Sequence, residues 1–257
     1  MRLFFLHIAK CGGTSLRKAM TDALLEAGAA PHSLFYLDGE AAYHAAKEES
    51  LAIYDYRDKV LRYALASRYT RFVTGHFRFN RTLHDSFRKN WVFATVLRDP
   101  VDRFLSLLHY NQSKDSEYAR LDDDIEAYLD SARARSEADA MANCFLSRER
   151  HFAPLSEADV AQACDNLAQF QLIGILEDLT GFRRRFQARF GQSLNIPALN
   201  RSPAGEERHE PLPDELMRRV QNLCASSRAV YDEARRLIAA REVKTRNSAG
   251  EHRITGP

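Results

Sequence analysis

At 257 residues, with 45% apolar residues and only 11 glycines and 8 prolines, the chain can form one large α/β domain or two small ones, and its composition excludes a disordered or fibrous protein. Its 37 basic and 35 acidic residues leave a net charge of +2, without the basic excess of a protein that wraps nucleic acid but with room for a local basic pocket. No apolar run approaches the roughly 20 residues of a membrane helix, so neither nucleic acid nor an integral membrane segment is expected.

Leu3-Phe4-Phe5-Leu6-His7-Ile8 is an apolar run stopped by Lys10 and two glycines, which predicts a buried parallel strand. The same run is too short, and too soon followed by Gly12-Gly13 and Lys18, to be a signal peptide. From Thr14 to Gly28, Leu16, Ala19, Met20, Ala23 and Leu24 fall on one stripe of an amphipathic helix. Residues 33–70 read as mostly helical. Phe72-Val73-Thr74 predicts a second strand ended by Gly75-His76, and Trp91 to Leu97 is the strongest strand pattern in the chain. A helix is expected from Pro100 or Val101, since proline suits a first turn.

Residues 122–169 read as helices with polar connections, in which Asp122-Asp123-Asp124 suits a solvated helix start better than a metal site. Gln171 to Leu176 predicts a further core strand. Leu179 to Phe190 predicts a helix with Arg183, Arg184, Arg185 and Arg189 on its solvent face. Residues 191–213 predict a long loop, Leu216 to Ala240 a last helical region, and 241–257 a polar, flexible tail. This alternation of strand and helix predicts a single α/β layer domain over 1–240 with no internal linker. The cysteines at 11, 144, 164 and 224 are scattered, without metal-ligand or disulfide spacing, so reduced thiols and a cytoplasmic location are expected.

Lys10-Cys11-Gly12-Gly13-Thr14-Ser15 carries the densest chemistry. Glycines between a strand and a helix let several amide groups turn onto one anion, and the helix adds its unbonded N-terminal donors and positive dipole end. Thr14 and Ser15 offer hydroxyls and Lys10 a mobile charge. The lysine precedes the glycines, so this is not the GxxxxGK[ST] loop of nucleotide hydrolases. A plain Gly-Gly turn suits the same residues.

Arg98-Asp99-Pro100-Val101-Asp102-Arg103-Phe104-Leu105-Ser106 follows a predicted strand, so in a parallel sheet Arg98 opens onto the same edge as the first loop. Arg98 offers a donor fork to phosphate oxygens and Ser106 a hydroxyl. A simple helix start, capped by Asp99 with Arg103 in solvent or paired to Asp99, suits them too. His76 ends the second predicted strand and has the ordinary pKa of a general base, while a structural histidine in a strand-end turn is the alternative. His7 is a weaker candidate, packed beside the loop, and His84 and His109 read as structural.

His7 to Leu16 resembles the 5′-phosphosulfate loop of carbohydrate sulfotransferases related to heparan sulfate 2-O-sulfotransferase, close to H-I-P-K-x-G-G-T-S, with Ala9 in place of the proline. Arg98 to Ser106 resembles that family's R-D-P-x-x-R-x-x-S motif, in the expected order along the chain. Gly174-Ile175-Leu176-Glu177-Asp178-Leu179 is similar to its G-x-x-E-x-L segment, and Asn200-Arg201-Ser202 to its N-x-S loop. The resemblance spans roughly residues 3–240.

It implies a P-loop NTPase-like three-layer fold with a central, mostly parallel sheet flanked by helices. It also implies transfer of a sulfuryl group from PAPS to a hydroxyl of a carbohydrate or glycolipid, leaving adenosine 3′,5′-bisphosphate. By the same resemblance Lys10 to Ser15 hold the 5′-phosphosulfate, Arg98 and Ser106 the 3′-phosphate, Asn200 and Ser202 lie near that far phosphate, and His76 is the base. Lys10 then neutralises charge on the bridging oxygen, and no metal is required. Arg78, Arg81, Arg88 and Lys89 can attract an acidic sugar or can be ordinary surface charge. An ATP-dependent small-molecule kinase, and a non-catalytic module for adenosine bisphosphate or a sulfated glycan, are the other readings.

Overall fold

Short apolar runs become the centre of the molecule because both faces of a parallel strand must be covered. The computed structural model describes residues 2–113, 121, 124–146, 153–197 and 212–254, the last ten by backbone alone. Among them five strands form one sheet in the order β2-β3-β1-β4-β5, from β1 (Leu3–Leu6), β2 (Leu34–Tyr36), β3 (Phe72–Gly75), β4 (Val92–Leu97) and β5 (Leu172–Ile175). Every pairing is parallel, so the sheet expected to be mostly parallel is wholly so. Phe4 lies between Val73 and Phe93, and Leu6 between Gly75 and Thr95, which makes β1 the central strand. Its four residues are all buried.

The strand period of two divides these side chains between two faces. Leu3 and Phe5, with Phe72, Ala94, Val96 and Leu172, pack against α1 (Gly13–Glu26) and α10 (Leu179–Phe190). Phe4 and Leu6, with Val73, Phe93, Leu97 and Ile173, pack on the other face against α3 (Ile53–Ala66), α8 (Ala140–Asn143), α9 (Glu157–Leu167) and α12 (Ala225–Ile254). Trp91, just before β4, is 2% exposed and donates from its indole to the Leu65 carbonyl at 3.0 Å. A third apolar cluster joins α5 (Pro100–Gln112), α6 (Ile125–Asp130), α7 (Ala132–Ala138) and α11 (Asp214–Leu223) into a helical cap. Helices α2 (Gly39–Glu48) and α4 (Arg81–Phe87) complete the order.

Several expectations need correction. The stretch 33–70 is helical in α2 and α3 but also holds the edge strand β2, too short and too exposed to show a pattern. The last helical region breaks at Cys224 into α11 and α12. The polar tail expected from 241 is helical to Ile254, and its first residues are anchored. Arg241 donates to the carbonyls of Phe170 at 2.7 Å and Ala168 at 3.0 Å, and Glu242 accepts from Arg184 at 3.0 Å and Arg185 at 2.8 Å. The boundary at 240 therefore falls inside a helix, and Arg185 is withdrawn from the solvent face. Among the described residues no helix is long and apolar enough to cross a membrane.

Candidate functional site

The chain leaves β1 toward β2 and leaves β4 toward β5, so a crevice opens between β1 and β4 at the carboxyl edge of the sheet. Three of the predicted groups meet at this edge. The loop 7–12 follows β1, Gly75-His76 ends β3, and Arg98-Asp99 follows β4.

Two residues of the first loop have positive φ, Lys10 at 66° and Gly12 at 71°. For lysine this left-handed conformation is uncommon, and such outliers concentrate at binding sites. Gly12 is the N-cap of α1, whose first turn carries no acidic residue and whose end has no side-chain cap. That leaves the helix start with donors and a positive dipole end directed at the crevice. Gly13 has a tighter reason to be glycine, because a Cβ there would lie 1.9 Å from the His7 ring. Thr14 and Ser15, in the first turn, are half-buried.

Cys11 differs from the rest of the loop. Its amide donates to the Ile8 carbonyl at 3.3 Å, its side chain is 1% exposed, and burial pushes its thiol up to about 12. The Cys11 side chain thus packs in the apolar core beneath the loop.

Arg98 donates to the Lys10 carbonyl at 3.4 Å, which ties the two motifs together. The Lys10 ammonium lies 4.2 Å from the centre of the Tyr110 ring, on α5, a cation–π contact. Ser106 is half-buried and four residues before Tyr110, hence on the same side of α5. Asp99 caps α5 by accepting from Val101 and Asp102, its other oxygen takes Arg228 at 2.7 Å, and its amide donates to Glu177 at 2.8 Å. Glu177 also accepts from the Tyr231 hydroxyl at 3.1 Å, so the segment after β5 and the last helix hold this turn. Asn200 and Ser202 lie outside the described residues.

Arg103 is neither in solvent nor paired with the Asp99 carboxylate. Its guanidinium is 0% exposed and donates to the Glu137 carbonyl.

His76 Nδ1 lies 2.9 Å from the His7 carbonyl oxygen. A carbonyl only accepts, so Nδ1 holds the proton and Nε2 of the neutral ring keeps its lone pair. Although the side chain reaches the surface, the protein atoms crowded round it lower its pKa; the bond to His7 opposes this, and Arg57 and Arg17 assist it. Arg57 donates to the His76 carbonyl at 2.8 Å and fixes the turn. The His7 ring is 4.5 Å from that of His76, and burial, then His76 and Arg17, depress its pKa to about 3. His84 is 2% exposed, bonded to Asp85 at 3.0 Å and packed on Phe79 and Phe93, as a structural histidine.

Beside His76 lies a cavity of about 250 Å³ whose wall includes His7, Tyr54, Arg57, Arg78, Arg103, Ser136 and Asn143. Of its wall the sequence drew attention to His7, His76 and Arg78 for their charge or proton chemistry and to Arg103 as a helix residue. No spacing could have grouped the rest, which come from α3, α7 and α8. Among the described residues no group of three or more His, Cys, Asp or Glu is placed to hold a metal.

The edge thus combines a glycine loop at a helix start bearing Lys10, a second cation at the neighbouring strand end, and a neutral imidazole beside a cavity. The chain matches no protein-family model and no curated protein.

Proposed function

We propose that this chain is a PAPS-dependent O-sulfotransferase. The observation that carries the reading is the junction of the two motifs: the Gly12-Gly13 helix start with Lys10, and Arg98 bonded to the Lys10 backbone, at one crevice that His76 also borders. A cofactor with phosphates at both ends needs two such cationic sites. In this reading Gly12 to Ser15 and Lys10 hold the 5′-phosphosulfate, while Arg98 and Ser106 hold the 3′-phosphate. PAPS, when bound, supplies the sulfuryl group, whose bond to the phosphate oxygen breaks as a bond to the acceptor oxygen forms. Lys10 offsets the negative charge left on the nucleotide. His76 accepts the acceptor's proton on Nε2, and its lowered pKa keeps that atom free at neutral pH. Arg57 and the His7 carbonyl hold the ring in place. A hydroxyl of a carbohydrate or glycolipid is the proposed acceptor, and a cytoplasmic setting is part of the same proposal.

The test is calorimetric titration with adenosine 3′,5′-bisphosphate, ADP and ATP. The 3′,5′-bisphosphate should bind most tightly, and Arg98→Ala should remove about 1.5–3 kcal/mol of that binding, the range for a hydrogen bond to a charged group. Equal or tighter binding of ATP would refute the reading in favour of a kinase. With an acceptor in hand, His76→Ala should abolish transfer and spare bisphosphate binding. Retained transfer would remove His76 from the role and direct attention to His7.

A further inference from the structure

The cavity beside His76 has an unusual wall. Three arginines border it (Arg57, Arg78 and Arg103), and among the described residues no aspartate or glutamate does. Arg78 is 5% exposed and Arg103 is fully buried. Among the described residues neither forms an ion pair, and Arg78 Nη1 and both Nε and Nη1 of Arg103 have no hydrogen-bond partner. Asp58, whose charge reaches Arg78, already accepts from Asn80 at 2.5 Å, and burial raises its carboxyl pKa. Arg78 is held instead over the Tyr54 ring, 3.7 Å from its centre. The same wall holds Ser136 and Asn143, buried to 4% and 3% exposure, whose hydroxyl and amide atoms are likewise unpartnered among the described residues.

A buried guanidinium with unmade hydrogen bonds costs several kcal/mol unless something compensates its charge. Two of them, with a hydroxyl and an amide on the same cavity, form a complementary set for an oxyanion, because arginine forks match planar or tetrahedral anionic oxygens. At about 30 Å³ per water-sized unit the volume holds about eight non-hydrogen atoms of a guest. His76 borders the same cavity, so a hydroxyl on that guest meets the base.

We infer that the acceptor is a compact hydroxyl compound, or the terminal unit of a larger one, carrying a carboxylate or sulfonate-type group that is seated between Arg78 and Arg103 with its hydroxyl toward His76. This deepens the sulfotransferase reading and rests on it for the identity of the reaction, while the anion pocket stands on the cavity alone.

The probes are 4-hydroxybenzoate, 4-hydroxybenzenesulfonate and the neutral isostere 4-hydroxybenzamide, titrated with and without saturating adenosine 3′,5′-bisphosphate. One charge-assisted hydrogen bond corresponds to at least about tenfold in affinity, so at least one anionic probe should exceed the amide by that factor. The preferred anion then says whether the seat is planar or tetrahedral. Arg78→Gln should remove the preference and leave bisphosphate affinity within about twofold, since no cofactor contact is assigned to it. Ser136→Ala, a smaller change in the same wall, should weaken the anions in the same direction and serves if Arg78→Gln folds poorly. Equal binding of amide and anions, or no binding of either anion, would overturn the inference even if the bisphosphate binds well. A parallel loss of bisphosphate affinity in Arg78→Gln would also overturn it, by giving the pair to the cofactor. Anion binding without bisphosphate binding would refute the sulfotransferase reading and retain the pocket.

Discussion

Replacing Gly13 by alanine tests the construction of the loop without any ligand. A Cβ at this position would fall 1.9 Å from both Cδ2 and Nε2 of His7, so the ring must retreat by more than an ångström to reach ordinary contact. The retreat is obstructed, because the ring stands 4.5 Å from His76 and 6.2 Å from Phe5. Overpacking of this kind costs about 1–3 kcal/mol. Alanine's better helix propensity returns at most about 1 kcal/mol, so a net loss of about 1–2 kcal/mol is expected in urea unfolding. The cause can be isolated by a double-mutant cycle with His7→Ala, in which removing the ring should relieve the Gly13→Ala penalty by about 1 kcal/mol or more. Gly28→Ala is the control: φ there is +85° with nothing within 4 Å of the new Cβ, so it carries only the left-handed backbone cost of about 1–2 kcal/mol and should not couple to His7. Additivity of Gly13→Ala and His7→Ala within about 0.5 kcal/mol would refute the argument.

Acid should destabilise the protein through His7. Its folded pKa falls to about 3, so below the unfolded value of about 6.5 the unfolded chain takes up the proton first, and stability is full above that pH and declines toward 3. His7→Gln should flatten the decline between about pH 6.5 and 5, above most carboxylate titrations, and an unchanged slope would show that His7 is not responsible. Arg241→Ala should cost about 1.5–3 kcal/mol, as it removes charged donors from the carbonyls that end α9, and a loss below about 0.5 kcal/mol would mean those bonds contribute nothing. In alkylation followed by peptide mapping, the buried Cys11 should react at least about tenfold more slowly than the half-buried Cys164, and equal labelling would contradict the packing described for the loop.

What could be read from the sequence depended on whether a residue's neighbours along the chain are also its neighbours in space. The strands β1, β4 and β5 were legible as continuous apolar runs and the helix α10 by its stripe, since both are direct imprints of local burial. The strand β2 was not, since three half-exposed residues at a sheet edge leave no period. Arg103 sits four residues after Asp99, the spacing of a helical ion pair, yet Arg228 of α12 takes that carboxylate and Arg103 turns inward to Glu137. Polarity at 241 and 242 suggested solvent, whereas both residues make tertiary bonds. The loop and Arg98 were visible as motifs. The cavity wall was not, because Tyr54, Ser136 and Asn143 converge only through the fold.

The central position of β1 has a kinetic consequence. During synthesis this buried strand is made before both of its partners, which begin only at Phe72 and Val92. Until both have been made, the run from Leu3 to Leu6 has no sheet to join. Such distant pairing folds slowly, because the intervening chain must be closed before any contact rewards it. Nascent protein therefore carries an unpaired apolar strand until both partners are made, and the candidate phosphate loop acquires its shape only after the strand before Arg98 has docked beside it.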